Sequence, residues 1–402
     1  MASEFEQVDD QSFINDIRSY TDFKTISFSG YKKTDVKKEF INSLYKSKIE
    51  HACYWGAELV CAGHYMDLWE VVLLYLGKYI HLGNPKLAIY LDKRFQVFRN
   101  IMVQGLHYDE LQLRNSPTIR NMFAEISCVL ALSPKKPSIE PVKIKKEEEF
   151  DMTQISLKLK ASSAIYGQNV MRKQDPKELT IAINEFAFHI SSSSTKPPNM
   201  AHACYWVEWL ISFDQICKKK KQPCLADTRE KIPVEHKYQK ESIWIVWDAI
   251  FYYAKDDTFT MKILNSVLNL FCLKFVPACI RKRVHLLYFA IALVTEPYRR
   301  NIPMIEHKDV VENTLAQIHT VYKQIKKSEE SPQTDYLFAG LHDPNHAQKS
   351  IQKMELLNSM APPTLGVFPK EDERTILNSH SPSPPNELKE IEIENDLEEI
   401  FL

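Results

Sequence analysis

The 402-residue chain is predicted to be all-α, with two tandem, internally duplicated five-helix bundles and a disordered C-terminal tail. Three observations lead there. His51-Ala52-Cys53-Tyr54-Trp55 recurs unchanged as His202-Ala203-Cys204-Tyr205-Trp206, and an identity containing two aromatics points to an internal duplication. Glycine is scarce, 9 in all against an average near ~7% of residues, so tight hairpins and glycine-rich phosphate loops have little to be built from. Apolar residues recur at helical spacing over most of the chain as far as Lys327.

Residues 1–30 form a polar lead-in, in which Phe13, Ile14 and Ile17 suffice for one short amphipathic turn. The first bundle occupies 31–134. Asp35 is placed to cap its first helix, accepting from the free amides of the first turn, and Phe40, Ile41 and Leu44 supply the apolar stripe. The second helix carries the pentapeptide, with Ala52, Trp55, Leu59 and Ala62 on one face. The third runs through Leu68, Val71, Val72, Tyr75 and Leu76. Asn84-Pro85 reads as cap plus first-turn proline of a fourth, through Leu87, Tyr90, Leu91, Phe95 and Phe98. Ser116-Pro117 opens a fifth, through Ile119, Phe123, Ile126, Val129 and Leu130, which stops before Pro134. Residues 135–174 read as a mobile linker rich in proline and charge blocks, with one ambiguous helix through Ile155, Leu157 and Leu159.

The pattern restarts over 175–327. Asp175-Pro176 repeats the cap and proline, followed by Leu179, Ile183, Phe186 and Ile190. The second pentapeptide helix ends near Cys217, and a basic insert extends from Lys218 to about Lys240. Trp244, Trp247, Ile250 and Phe251 mark the third helix, and Ile263, Leu264, Val267, Leu268 and Phe271 the fourth. The fifth begins at Pro277; Ile280-Arg281 aligns with Ile119-Arg120, and Ala292-Leu293 with Ala131-Leu132, in one register. One more helix follows through Val310, Leu315, Ile318, Val321 and Ile325. Residues 328–402 are Pro/Ser-rich and end in the acidic stretch Glu387–Leu402, where Leu397, Ile400, Phe401 and Leu402 read as anchors of a docking motif.

Composition limits the function classes. Lys+Arg total 51 and Asp+Glu 52, so a globally basic nucleic-acid coat is not indicated. The 8 cysteines contain no CxxC pair and read as buried, reduced thiols of a cytoplasmic protein, with no metal site and no cofactor. The first residues are polar and acidic, unlike a signal peptide. No apolar run reaches the ~18–20 residues of a membrane span, so no membrane association is expected.

Four features carry chemistry or packing. The pentapeptides read as a packing signature, with Trp55, Trp206, Trp69 and Trp247 as repeated core anchors. The competing reading pairs Cys53 with His51, or Cys204 with His202, as a nucleophile and base. Residues two apart on a helix point in different directions, which disfavours it, and no catalytic residue is assigned. The acid that follows each repeated tryptophan, Glu70 and Asp248, is either solvated or anchors a basic partner residue. Lys218, Lys219, Lys220, Lys221, Arg281, Lys282 and Arg283 are either a solvated loop and helix start or contacts to nucleic-acid phosphates.

The stretch Gly30–Glu70, GYKKTDVKKEFINSLYKSKIEHACYWGAELVCAGHYMDLWE, resembles uncharacterised helical proteins of large cytoplasmic (giant) DNA viruses of protists, most clearly over Gly30–Asn100. That resemblance implies a virus-encoded protein in host cytoplasm and assigns no site residues. By helix count, paired five-helix units also resemble the cyclin fold, an analogy of architecture only. The expected function is a non-enzymatic scaffold that binds a protein partner. The alternative is a nucleic-acid-associated transcription or replication accessory factor using the basic insert.

Overall fold

In a computed structural model, the described residues are 10–104, 110–144, 150, 155–192 and 196–330. They hold fourteen α-helices and no named strand; the β pairing among them is two isolated bridges, Ile26 with Lys32 and Leu225 with Glu241. The described residues belong to one compact unit. The tail anchors Leu397, Ile400, Phe401 and Leu402 lie outside the described residues.

The first set of helices is α1 (Lys33–Tyr45), α2 (Ile49–Cys61), α3 (Tyr65–Tyr75), α4 (Leu87–Gln104), α5 (Glu110–Asn115) and α6 (Pro117–Leu132). Ser116 caps α6, accepting from Ile119 N, with Pro117 at the first position, as expected from sequence. The other two expected caps differ. α1 starts at Lys33, so Asp35 sits inside the first turn, where the helix dipole still favours its charge. Asn84 is fully buried and donates instead to the carbonyls of Pro303 (3.1 Å) and Met304 (3.3 Å), far along the chain. A π turn (Leu76–Ile80) and a 3-10 turn (His81–Gly83) prolong α3.

The second set is α7 (Ile165–Gln168), α8 (Thr180–Ile190), α9 (Met200–Lys219), α10 (Ile243–Ala254), α11 (Thr258–Phe271), α12 (Cys279–Lys282) and α13 (Val284–Thr295), followed by α14 (Lys308–Lys326). Asn199 caps α9 and Asp257 caps α11. Asp175 is not a cap, because its carboxylate is taken by Arg229. The helix expected from Pro277 is interrupted at Arg283 (φ −106, ψ 16). α13 is apolar all round and buried from Val284 to Leu293, as a helix at the centre of a bundle must be.

The packing runs in parallel in the two sets: α1 and α6 lie on α2, and α8 and α13 lie on α9. The sets also pack on each other, α4 against α11 and the π turn against α13. Gly77 allows the second contact. A Cβ there would meet the His285 carbonyl carbon at 2.7 Å and Leu286 N at 2.8 Å, so backbone touches backbone.

Three segments read as loose are tied down. Lys136 N donates to Ile80 O (3.2 Å) and Ser138 N to Lys78 O (2.8 Å), which fixes the start of the expected mobile linker against the π turn. In the lead-in, Phe13 and Ile17 are exposed, while Ile14, Phe23 and Phe28 are fully buried; Ile14 exchanges two 2.8 Å hydrogen bonds with the Asn115 amide. Basic-insert residues Ala226 and Arg229 donate from their backbone amides to Lys240 O and Gln239 O. The ambiguous stretch resolves differently: Ile155 is buried, but Leu157 is 74% exposed and Leu159 is exposed, both outside any helix. α14, although it follows the second set, packs on α2 and α6 of the first.

Candidate interaction surface

Both pentapeptides sit near the start of a helix. Ala52 and Cys53, like Ala203 and Cys204, face inward, while His51 and His202 are exposed. Burial pushes the Cys53 thiol up to about 12 and the Cys204 thiol well above its ordinary value. Such thiols stay protonated at neutral pH and are poor nucleophiles. Trp69 is fully buried edge-on to Phe95 (5.1 Å) and Phe123 (5.7 Å), and Trp247 is fully buried beside Phe271 (5.4 Å). Trp206 is buried too. Trp55 departs from the core reading: it is half-buried, edge-on to Tyr31 and Tyr54. One turn after Trp55 stands Glu58, and one turn after Trp206 stands Trp209.

The acids after the repeated tryptophans each hold an arginine. Glu70 takes the guanidinium of Arg283, which also donates to Phe271 O (2.7 Å) and Leu273 O (2.6 Å) at the end of α11. Arg283 is 3% exposed, so it is an internal clamp and is not presented to phosphate. Asp248 accepts from Arg229 Nε (3.0 Å) and Arg172 (3.4 Å), and Arg229, 1% exposed, also grips Asp175. Burial acts to raise the Asp175 pKa, but the Arg229 hydrogen bonds and the amides of Arg172 and Asp227 outweigh it and hold the carboxyl below its ordinary range.

Sequence reasoning missed two buried carboxylates, Glu58 and Glu208, both with no exposed surface. Glu58 accepts from Ser27 Oγ (2.7 Å), Ser29 N (3.0 Å) and Ser29 Oγ (2.6 Å); Glu208 accepts from Tyr288 OH (2.7 Å) and from Arg281. Their signal was an acid inside an otherwise apolar helical stretch, but the partners lie 29 to 80 positions away.

The remaining basic candidates divide. Lys218 bridges Asp214 (2.8 Å) and Glu241 (2.6 Å), and Arg281 binds Glu208 and Ser212. Lys219, Lys220, Lys221 and Lys282 are exposed. A groove of about 230 Å³ opens among α9, α10 and α12, walled by Leu210, Ile211, Ile243 and Ile280 with Asp214, Lys218 and Arg281 also lining it. A larger hollow of about 690 Å³ lies beside Arg229 over Phe251, Met261 and Leu268. A third, of about 480 Å³, separates Glu50, Cys53 and Tyr54 of α2 from α14. Among the described residues no cluster of three His, Cys, Asp or Glu side chains is placed to hold a metal, and no helix is long and apolar enough to cross a membrane.

Comparison with known protein families, curated proteins and solved structures finds no match to this chain.

Proposed function

We propose that this chain is a non-enzymatic helical scaffold that binds other proteins. The observation that carries the reading is the seating of α14. This amphipathic helix crosses from the end of the second set onto α2 and α6 and buries Val311, Ile318, Tyr322 and Ile325 there, with the Arg120 guanidinium 4.1 Å from the Tyr322 ring centroid. The bundle thus already receives an amphipathic helix by apolar anchors and one cation–π contact, the physics of helix-in-groove recognition. An ancestral duplication accounts for the parallel packing around α2 and α9. Placing the protein in host cytoplasm as a viral product rests on the Gly30–Asn100 resemblance alone.

The test is affinity purification of the full chain from expressing cells, with and without nuclease and at two salt concentrations. Protein partners retained after nuclease, and little changed between about 50 and 200 mM salt, support the scaffold. Recovery that collapses on either treatment overturns it, because phosphate contacts lose affinity steeply over that range. The second reading, a nucleic-acid-associated accessory factor, draws on the exposed Lys219, Lys220, Lys221 and Lys282.

A further inference from the structure

We infer that the hollow where the turn at 155–161 meets the start of α9 is a seat for a small phosphorylated molecule with a compact apolar body. It is independent of the scaffold reading, since a ligand of this size needs no protein partner. The hollow has about 320 Å³, at the small end of ligand pockets, and its walls include Leu157, Lys158, Lys160, His202, Tyr205 and Trp206. The turn that supplies the first three is fixed at both ends. Ile155 is buried, Lys158 N donates to Ile155 O (2.9 Å) and Leu159 N to Ser156 O (3.3 Å). Lys160 N and Ala161 N then donate to the Glu185 carboxylate of α8, at 3.0 and 2.9 Å. His202 is exposed in the first turn of α9 and stacks on the buried His189 ring, with 4.9 Å between centroids.

Charge selects the ligand. Among the described residues no carboxylate lines the hollow, while two ammonium groups and an imidazole do. Lys158 Nζ rests on a neutral group, the Tyr205 hydroxyl (3.1 Å), and lies 4.5 Å from that ring's centroid. Lys160 makes no ion pair among the described residues. Glu185, behind the turn, is 2% exposed and has its oxygens taken by the two backbone amides. The local field is therefore positive: besides burial, the charges of His202, Lys196 and Lys160 hold the neighbouring His189 imidazole down, to about 4. The α9 dipole adds to it, because the first turn of a helix favours an anion. A phosphate monoester, with about −1.5 to −2 charges and three acceptor oxygens at neutral pH, suits this set better than a singly charged carboxylate. Leu157, 74% exposed, and the half-buried Tyr205 ring offer the rest of the ligand an apolar wall.

Isothermal titration of the full-length protein with phenyl phosphate tests the seat. One saturable site is expected, at least about tenfold tighter than for inorganic phosphate or benzoate, and weakened at least about tenfold by K160Q/H202Q. Leu157→Ser should weaken phenyl phosphate and leave inorganic phosphate unchanged. K219E/K221E, about 25 Å away at the other end of α9, should change neither. All these positions are exposed, so thermal unfolding of the variants should match that of the parent. No saturable site, equal affinity in K160Q/H202Q, equal weakening by K219E/K221E, or inorganic phosphate bound as tightly as phenyl phosphate overturns the seat. So does a phosphotyrosine peptide or a single-stranded oligonucleotide that binds through Lys160 and His202 more than about tenfold tighter, which would make the occupant a macromolecule.

Discussion

Glu70 and Asp248 each stand just after a fully buried tryptophan, yet they hold arginines from different parts of the chain. Glu70 reaches across to Arg283 of the second set and helps to join the two sets. Asp248 stays within its own set and holds Arg229, which closes the basic insert onto Asp175. Each tryptophan is taken into an aromatic core, Trp69 among Phe95 and Phe123 and Trp247 beside Phe271. The partner follows from what each set has beside it. Two tryptophans that are buried alike therefore stand beside polar contacts that differ.

The most severe way to break the comparison is to remove the arginines. Arg229→Ala leaves the fully buried Asp175 carboxylate without its counter-ion, held by the Arg172 and Asp227 amides, and should cost roughly 3–5 kcal/mol in denaturant unfolding. Arg283→Ala leaves Glu70, which is 33% exposed and can rehydrate, so roughly 2–3 kcal/mol is expected. Equal losses would erase the distinction between the clamps. Next come the pentapeptide tryptophans: Trp206→Ala should cost roughly 3–5 kcal/mol and Trp55→Ala roughly 1–2 kcal/mol, since Trp55 is only half-buried. A Trp55 loss as large as that of Trp206 would return both to the core.

The seam between the sets can be probed by a single methyl. Gly77→Ala forces backbone apart at the π turn and should lower stability by roughly 1–3 kcal/mol. Gly56→Ala, inside α2, meets only the Ser127 hydroxyl at 3.3 Å and the Phe40 ring at 3.5 Å; helix propensity offsets the crowding, so its effect should stay within about 1 kcal/mol. If the two variants melt alike, the close approach at Gly77 is not a stability determinant.

Each set also holds one histidine that burial depresses to about 4, His81 and His189; around His189, the cations of Lys196 and Lys160 and His202 add to the shift. An unfolded chain protonates these rings near ~6.5, before the folded one does, so their contribution is complete above that value and is lost as pH falls toward 4. Stability should decline through this window by on the order of 1–3 kcal/mol per ring, and His189→Asn should flatten part of the slope. A melting temperature that is flat or rising from pH 6.5 to 4.5 would contradict the assignment. Asp175, held low by Arg229, contributes in a lower window: its part is present above about 3.9 and is lost only as pH falls through its depressed folded value.

Helical spacing made the all-α class, the Ser116 cap, the stop before Pro134 and the buried Trp69, Trp206 and Trp247 legible in the sequence. Each depends on local periodicity or a neighbouring turn, and 3.6-residue repetition is set by covalent geometry within a few residues. What only the tertiary structure decided concerns groups whose partners lie far along the chain. Asp175 and Asn84 look like caps, but Arg229 and the Pro303 and Met304 carbonyls claim them. Arg283 looks like a phosphate ligand, but Glu70 and two helix-end carbonyls enclose it. Lys136 looks like linker, but Ile80 holds its amide. A polar group shows its type in the sequence, while burial decides its partner, because only removal from water makes an unmet hydrogen bond costly enough to fix the choice.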